Sequence, residues 1–359
     1  MSVLIFKDTK IYIACPANSA TGGPELLHQL GYHLINDLNI KAFMYYYNYE
    51  GGKFKTPVHP EFEVYNVPFV LDIKEDDERN ILIVPEISAA LTLLKKYKNI
   101  RRGVWFLSVD NYYLSKLTRR DFFFKRAINK LLNILLKRPL LDFDITSQEL
   151  LDKLIEKFDY RNDQLLKLAN FYMTQTYRGL KWFSDLKPLY YLSDYLNKEF
   201  LETQTDLSKK ENIVAYNPKK GFSFTKKIIS SAKDIKFVPI INMSREEVIK
   251  TLQKVKVYID FGNHPGKDRV PREAAILGCC VITGKRGSAE FFEDVSIPDE
   301  YKFEDKEENI PKIIEKIKDC FENFEKRYKD FDNYRQIIKE EPQKFVEDLK
   351  KIFVRTEKG

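Results

Sequence analysis

Short apolar runs alternate with amphipathic stretches along this chain, and the alternation starts afresh near Asn212. That repeated pattern constrains the fold more than any other feature. In the first series, Lys10–Cys15, Ile40–Tyr47, Asn80–Pro85, Gly103–Val109 and Asp142–Thr146 read as strands. Helices are expected at Glu25–Leu38 and Gln148–Phe158, and Tyr190–Phe200 is a last element before the polar linker Thr203–Asn212. In the second series the strands are Asn212–Tyr216, Lys236–Ile241, Val257–Phe261 and Cys279–Thr283. The helices between them run to Ala232, over Arg245–Val255 and over Arg272–Leu277, with Gly278 where a helix end needs a left-handed residue. Strands that alternate with helices predict parallel sheets covered on both faces. Two such series in 359 residues predict an α/β protein with two Rossmann-like domains facing each other across a cleft. A charged helical tail follows Asn309, with a break expected near Glu341-Pro342.

Composition excludes several classes. The hydrophobic fraction of 43% is enough for two cores and argues against global disorder. Cys15, Cys279, Cys280 and Cys320 are irregularly spaced and two are neighbours, so neither a disulfide framework nor a zinc site is expected, and a reducing cytosol fits. His28, His33, His59 and His264 form no ligand spacing, so no metal is expected. No apolar run reaches membrane-spanning length. The net charge of +7 is unevenly placed, because Leu117–Pro139 carries Arg119, Arg120, Lys125, Arg126, Lys130, Lys137 and Arg138 against Asp121 alone. Within it, Phe124, Ile128, Leu131 and Leu135 share one helical face. Two readings stand for this helix, an interfacial one on anionic lipid and an ordinary core-facing one. No nucleic-acid recognition module surrounds it.

The stretch Val257–Asp294 carries the chemistry. It gives a strand, a loop with Lys267, Arg269 and Arg272, a helix with Glu273 in its first turn, a short strand, and the loop Gly287-Ser288-Ala289. Cations and helix N-terminal amides together attract a diphosphate, and a carboxylate such as Glu273 accepts from ribose hydroxyls. His264 lies in the same loop and is a candidate catalytic group. Asp110, at the end of a strand where ligands meet open α/β sheets, is a candidate acceptor-side carboxylate or else a turn cap. The triplets Asp142-Phe143-Asp144 and Asp330-Phe331-Asp332 could hold a divalent cation but read as structural in a chain with two Rossmann units.

In order of elements, the second half resembles the donor domain of GT-B glycosyltransferases, and in particular the bacterial group with two glutamates eight positions apart. Glu273 matches the second of that pair, whereas the first falls at Pro265. Lys219-Lys220-Gly221 resembles the family's basic phosphate loop, with Lys220 the better match and the usual Arg missing. Gly22-Gly23-Pro24-Glu25 resembles its Gly-rich loop near donor and acceptor. The resemblance implies an acceptor domain over residues 1–205, a donor domain over 206–335, and a helical segment 336–359 packing back on the first. It implies transfer of a sugar from a nucleoside-diphosphate sugar to a glycan hydroxyl, with no cofactor and no metal. The donor would meet Gly22, Gly23, Lys220, Lys267, Arg269, Arg272, Glu273, Gly287, Ser288 and Ala289. The setting would be bacterial surface polysaccharide or lipopolysaccharide assembly, in the cytoplasm or at the inner face of its membrane, on a free or lipid-linked acceptor. A nucleotide-sugar epimerase of the same fold and a non-catalytic nucleotide-sugar-binding subunit are the alternatives.

Overall fold

The computed structural model describes residues 2–19, 21–47, 49, 51, 55–117 and 148–356. The expected strand Asp142–Thr146, the basic helix Phe122–Lys137 and the triplet Asp142–Asp144 lie outside them. Two compact units form, one from Met1–Leu192 with Phe345–Gly359 and the other from Ser193–Lys344. The division precedes residue 205 because Leu196 and Phe200 are buried in the second unit's core. Among the described residues no helix is long and apolar enough to cross a membrane.

The first unit is built on β1 (Val3–Ile5), β2 (Lys10–Pro16), β3 (Lys41–Tyr47), β4 (Phe69–Val70), β5 (Ile81–Pro85), β6 (Arg101–Phe106), β7 (Phe171–Thr174) and β8 (Leu189–Tyr191). β2 to β8 make one sheet of order β4-β3-β2-β5-β6-β7-β8, parallel throughout. β2 and β5 are buried along nearly their whole length, which explains their unbroken apolar sequences. β6 stops before Val109, because Ser108 Oγ accepts the Asn111 amide at 3.0 Å and opens a helix there. β7 and β8 extend the sheet beyond the strands read from sequence. They are short, and the tyrosines of β8 are only half-buried, so they lack the long apolar signature.

The second unit contains β9 (Glu211–Tyr216), β10 (Lys236–Pro239), β11 (Val255–Asp260), β12 (Cys280–Gly284) and β13 (Lys302–Phe303), in the parallel order β10-β9-β11-β12-β13. The chain passes from β9 outward to β10, then crosses back to β11 on the other side of β9. The crevice above β9 and β11 is therefore the topological switch point, where open α/β sheets bind ligands. The helix Arg245–Lys254 starts with a complete capping box from Ser244 and Glu247. The helix Asp332–Ile352 runs unbroken through Pro342, contrary to the expected break. Burial of Ile338, Phe345 and Leu349 along it offsets the lost amide. Its residues from Phe345 belong to the first unit, where β14 (Phe353–Arg355) pairs in parallel with β1, Val3 opposite Phe353. In the second aspartate triplet, Asp330 accepts from Tyr301 and Asp332 from Arg335, each at 2.5 Å.

Gly103 in β6 tests the packing of the first sheet. A Cβ there would sit 2.3 Å from Phe171 Cζ. Gly103→Ala is expected to destabilise the protein by about 1–3 kcal/mol in urea unfolding. Adding Phe171→Leu should recover part of that loss, and additive losses would refute the clash.

Candidate functional site

The loops that follow β9 and β11 touch through their backbones. Gly221 adopts φ 59°, and a Cβ on it would lie 2.1 Å from the Phe261 carbonyl oxygen. Gly262 adopts φ 96°, and its Cβ would lie 2.6 Å from the Gly221 nitrogen. Only glycine satisfies both the left-handed conformation and the contact. This approach fixes Lys220, one residue before Gly221, over the end of β11. Its Nζ donates to the Asp268 carboxylate and lies 3.4 Å from Asp260 and 3.5 Å from His264 Nδ1. His264 is fully buried, with Nδ1 2.6 Å from Asp268 Oδ2 and Nε2 3.4 Å from the Asp260 carbonyl oxygen.

Electrostatics follow from this crowding. Burial opposes the charge on Asp268, but Lys220 and His264 outweigh it and hold the carboxyl well below its usual range. For Asp260, burial prevails over the same two neighbours and the carboxyl is pushed up. Lys220 is held protonated, its burial outweighed by Asp260 and Asp268. Asp260, His264 and Asp268 offer three ligand atoms within 4.8 Å of one another, a set able to hold a metal ion that the spacing of the histidines did not reveal. The Lys220 ammonium already lies within hydrogen-bonding reach of that set.

The remaining cations of the loop belong to a second cluster. Arg272 is fully buried, with Nη1 donating to Glu341 and Nη2 to Asp194, both at 2.8 Å. It also donates to the backbone carbonyls of Lys267 at 3.0 Å and Asp268 at 3.3 Å. Lys267 pairs with Glu341 at 2.7 Å and donates to Ser193 Oγ at 3.1 Å. Arg272 and Lys267 were expected to face a diphosphate; in the structure buried acids pair with both inside the unit. Arg269 is partly exposed at the start of its helix, with Nε 3.8 Å from Asp194.

Gly287-Ser288-Ala289 does not open an α-helix. It forms a single 3-10 turn, Gly287–Glu290, and the Ser288 amide donates to the His264 carbonyl at 2.8 Å. That amide cannot also serve a phosphate, while the buried Ser288 Oγ, Asn263 Oδ1 and Asp260 Oδ1 have no hydrogen-bond partner among the described residues. Glu273 is half-buried in the helix Arg269–Ile276.

In the first unit, Gly22 is the first residue of the helix Gly22–Asn36, and Gly23 lies against Leu107, whose Cδ1 would be 3.5 Å from a Cβ added there. Asp110 is buried in an ion pair with Arg178 at 2.7 Å, an engagement that works against a free general base. Glu86 was missed by the sequence reading. It is buried directly after β5, at the switch point between β2 and β5, and accepts the Leu107 amide at 3.0 Å. Burial pushes its carboxyl up to about 7. Glu86 after ILIVP and Asp260 at the end of VYID share one legible signal, an acid closing an apolar strand.

No family model and no curated protein matches the chain. Among solved structures, HepE of Anabaena in complex with UDP-glucose is 12% identical with TM-score 0.55, covering 95% of this chain and 99% of that one. The lipopolysaccharide outer core galactosyltransferase WaaB is 8% identical with TM-score 0.54, covering 94% and 98%. The chain spans about half, 53%, of the length of S. aureus TarM, which is 13% identical with TM-score 0.41 over 77% of this chain. The fold is GT-B, with two Rossmann-like domains.

Two outcomes follow from the buried charges. Arg272→Ala takes from buried Asp194 its closest cation and leaves Glu341 with Lys267 alone, and should cost about 3–5 kcal/mol in urea unfolding. Combining it with Asp194→Asn and Glu341→Gln should restore part of this, and an unchanged midpoint in the single variant would refute the network. Glu86 binds its proton more tightly folded than unfolded, so stability falls as pH rises from about 4.5 towards 7 and stays reduced above. Glu86→Gln should leave stability at pH 5 nearly unchanged and raise it at pH 8 by up to about 3 kcal/mol. Equal effects at the two pH values would show that Glu86 does not titrate in this way.

Proposed function

We propose that this protein is a glycosyltransferase that moves a sugar from a nucleoside-diphosphate sugar to a hydroxyl of a glycan, in assembly of bacterial surface polysaccharide or lipopolysaccharide. One observation carries the reading: Lys220 stands at the switch point of the second sheet with the carboxylate of Asp268 against it. An ammonium ion neutralised by an internal anion at the ligand-binding edge of a GT-B sheet is suited to exchange that anion for a phosphate.

In this mechanism Lys220 and Arg269, aided by the first amides of the helix Arg269–Ile276, stabilise the departing diphosphate. His264 is a positioning residue that holds Asp268 beside Lys220. Arg272 holds the loop by its backbone carbonyls, and Glu273 accepts from the ribose. The first unit, with Gly22-Gly23 at its switch point, positions the acceptor. Lys220 serves in place of a metal, its ammonium standing against the Asp260 and Asp268 carboxylates that a metal would otherwise meet. HepE in complex with UDP-glucose makes a uridine nucleotide the first probe. The basic segment 117–139 would bring the enzyme to anionic lipid at the inner face of the cytoplasmic membrane.

Nucleotide binding tests the exchange directly, by calorimetry and by the rise in melting temperature with UDP, GDP, dTDP and CDP. Lys220→Gln should weaken the preferred nucleotide about tenfold or more, whereas Asp268→Asn, which removes the competing carboxylate, should tighten it severalfold. Weakening by both substitutions, or no response to any nucleoside diphosphate at millimolar concentration, would overturn this assignment of Lys220.

A further inference from the structure

The first unit carries a second feature open to a ligand, at the opposite ends of its strands from Gly22. A cavity of about 510 Å³ opens where β2 and β3 begin, closed on one side by β1 and β14. Its volume is within the range of small-molecule sites, roughly 300–1,000 Å³.

The lining divides by chemistry. Ile5, Phe6, Ile35, Ile40 and Phe43 give it an apolar wall. Lys7, Lys41 and Arg355 give it three cations, and no acid lines it among the described residues. Arg355 is fixed by its register opposite Ile5, and its Nη2 donates to the carbonyls of Leu38 at 3.2 Å and Asn39 at 2.5 Å. Both of these partners are neutral, and among the described residues no carboxylate pairs with the guanidinium. Asp8, whose carboxyl feels Lys41, is held by Arg79 at 3.1 Å. Three cations in a lining that holds no acid among the described residues create a positive potential, and the apolar wall beside it favours a ligand that is more than a bare ion. The segments bounding the cavity also expose apolar side chains, Leu4 and its register partner Val354 on one side, Val64, Phe69 and Leu71 on the other.

We infer that this cavity binds an anionic amphiphile, a phosphate head between Lys7, Lys41 and Arg355 with a hydrocarbon portion on Ile5, Phe6 and Phe43. The ligand is independent of the sugar donor, because the cavity lies at the opposite ends of the strands from the Gly22 loop. A membrane phospholipid and a monomeric alkyl or prenyl phosphate share this chemistry.

Calorimetry with decyl phosphate, decanol and inorganic phosphate separates the two halves of the site. Decyl phosphate should bind once per chain, about tenfold or more tighter than either partial ligand. Lys7 and Lys41 are exposed, so Lys7→Gln with Lys41→Gln should leave the melting temperature unchanged and weaken decyl phosphate about tenfold or more. Lys233→Gln with Lys312→Gln removes the same charge from the other unit and should have no effect. Equal weakening by the two pairs, inorganic phosphate binding as tightly as decyl phosphate, or no binding at all would overturn the proposal. Vesicles containing phosphatidic acid identify the source. Sedimentation that falls only in the Lys7/Lys41 pair supports the site with a bilayer lipid as its ligand. Unchanged sedimentation with the calorimetric loss intact supports it with a monomeric one.

Discussion

The fully buried guanidinium of Arg272 organises the second domain. It joins three stretches distant in sequence: the segment entering the domain at Asp194, the loop carbonyls of Lys267 and Asp268, and Glu341 on the long helix that leaves it. Burying an arginine is costly, and the arrangement is tolerated only because both carboxylates and both carbonyls lie within bonding distance. The loop Gly262–Asp268 takes its shape from this anchor on one side and from the backbone contact of Gly221 with Gly262 on the other. Lys220, His264 and Asp268 meet because these two constraints act on the same loop.

Much of the fold was legible in sequence, since parallel strands buried on both faces give unbroken apolar runs such as ILIVP and VYID. β7, β8, β1 and β14 were not, being short and dependent on partners far along the chain. The break expected at Pro342 failed for a related reason. A local rule about proline was outweighed by burial along one helical face, which a sequence window does not contain.

The candidate site was legible in location more than in role. Cations at 267, 269 and 272 drew attention to the loop, yet charge in a sequence carries no sign of its partner. Asp194 and Glu341, which claim Arg272, lie 78 and 69 residues away. Asp260 and Glu86 were overlooked because each reads as the end of a strand. Their chemistry arises from burial at a sheet edge, a tertiary property.

The pairing of β1 with β14 bears on how the polypeptide acquires its structure during synthesis. Val3 is made long before its partner Phe353, so this strand pair can close only after the intervening chain has left the ribosome. The second domain is one continuous segment, Ser193–Lys344, and is complete in sequence before that happens. Vectorial synthesis therefore favours an order in which the later-made domain can consolidate while the earlier-made one still lacks a strand. In the interval β1 presents an unpaired edge with Leu4 exposed on it, a surface open to a chaperone or to another nascent chain.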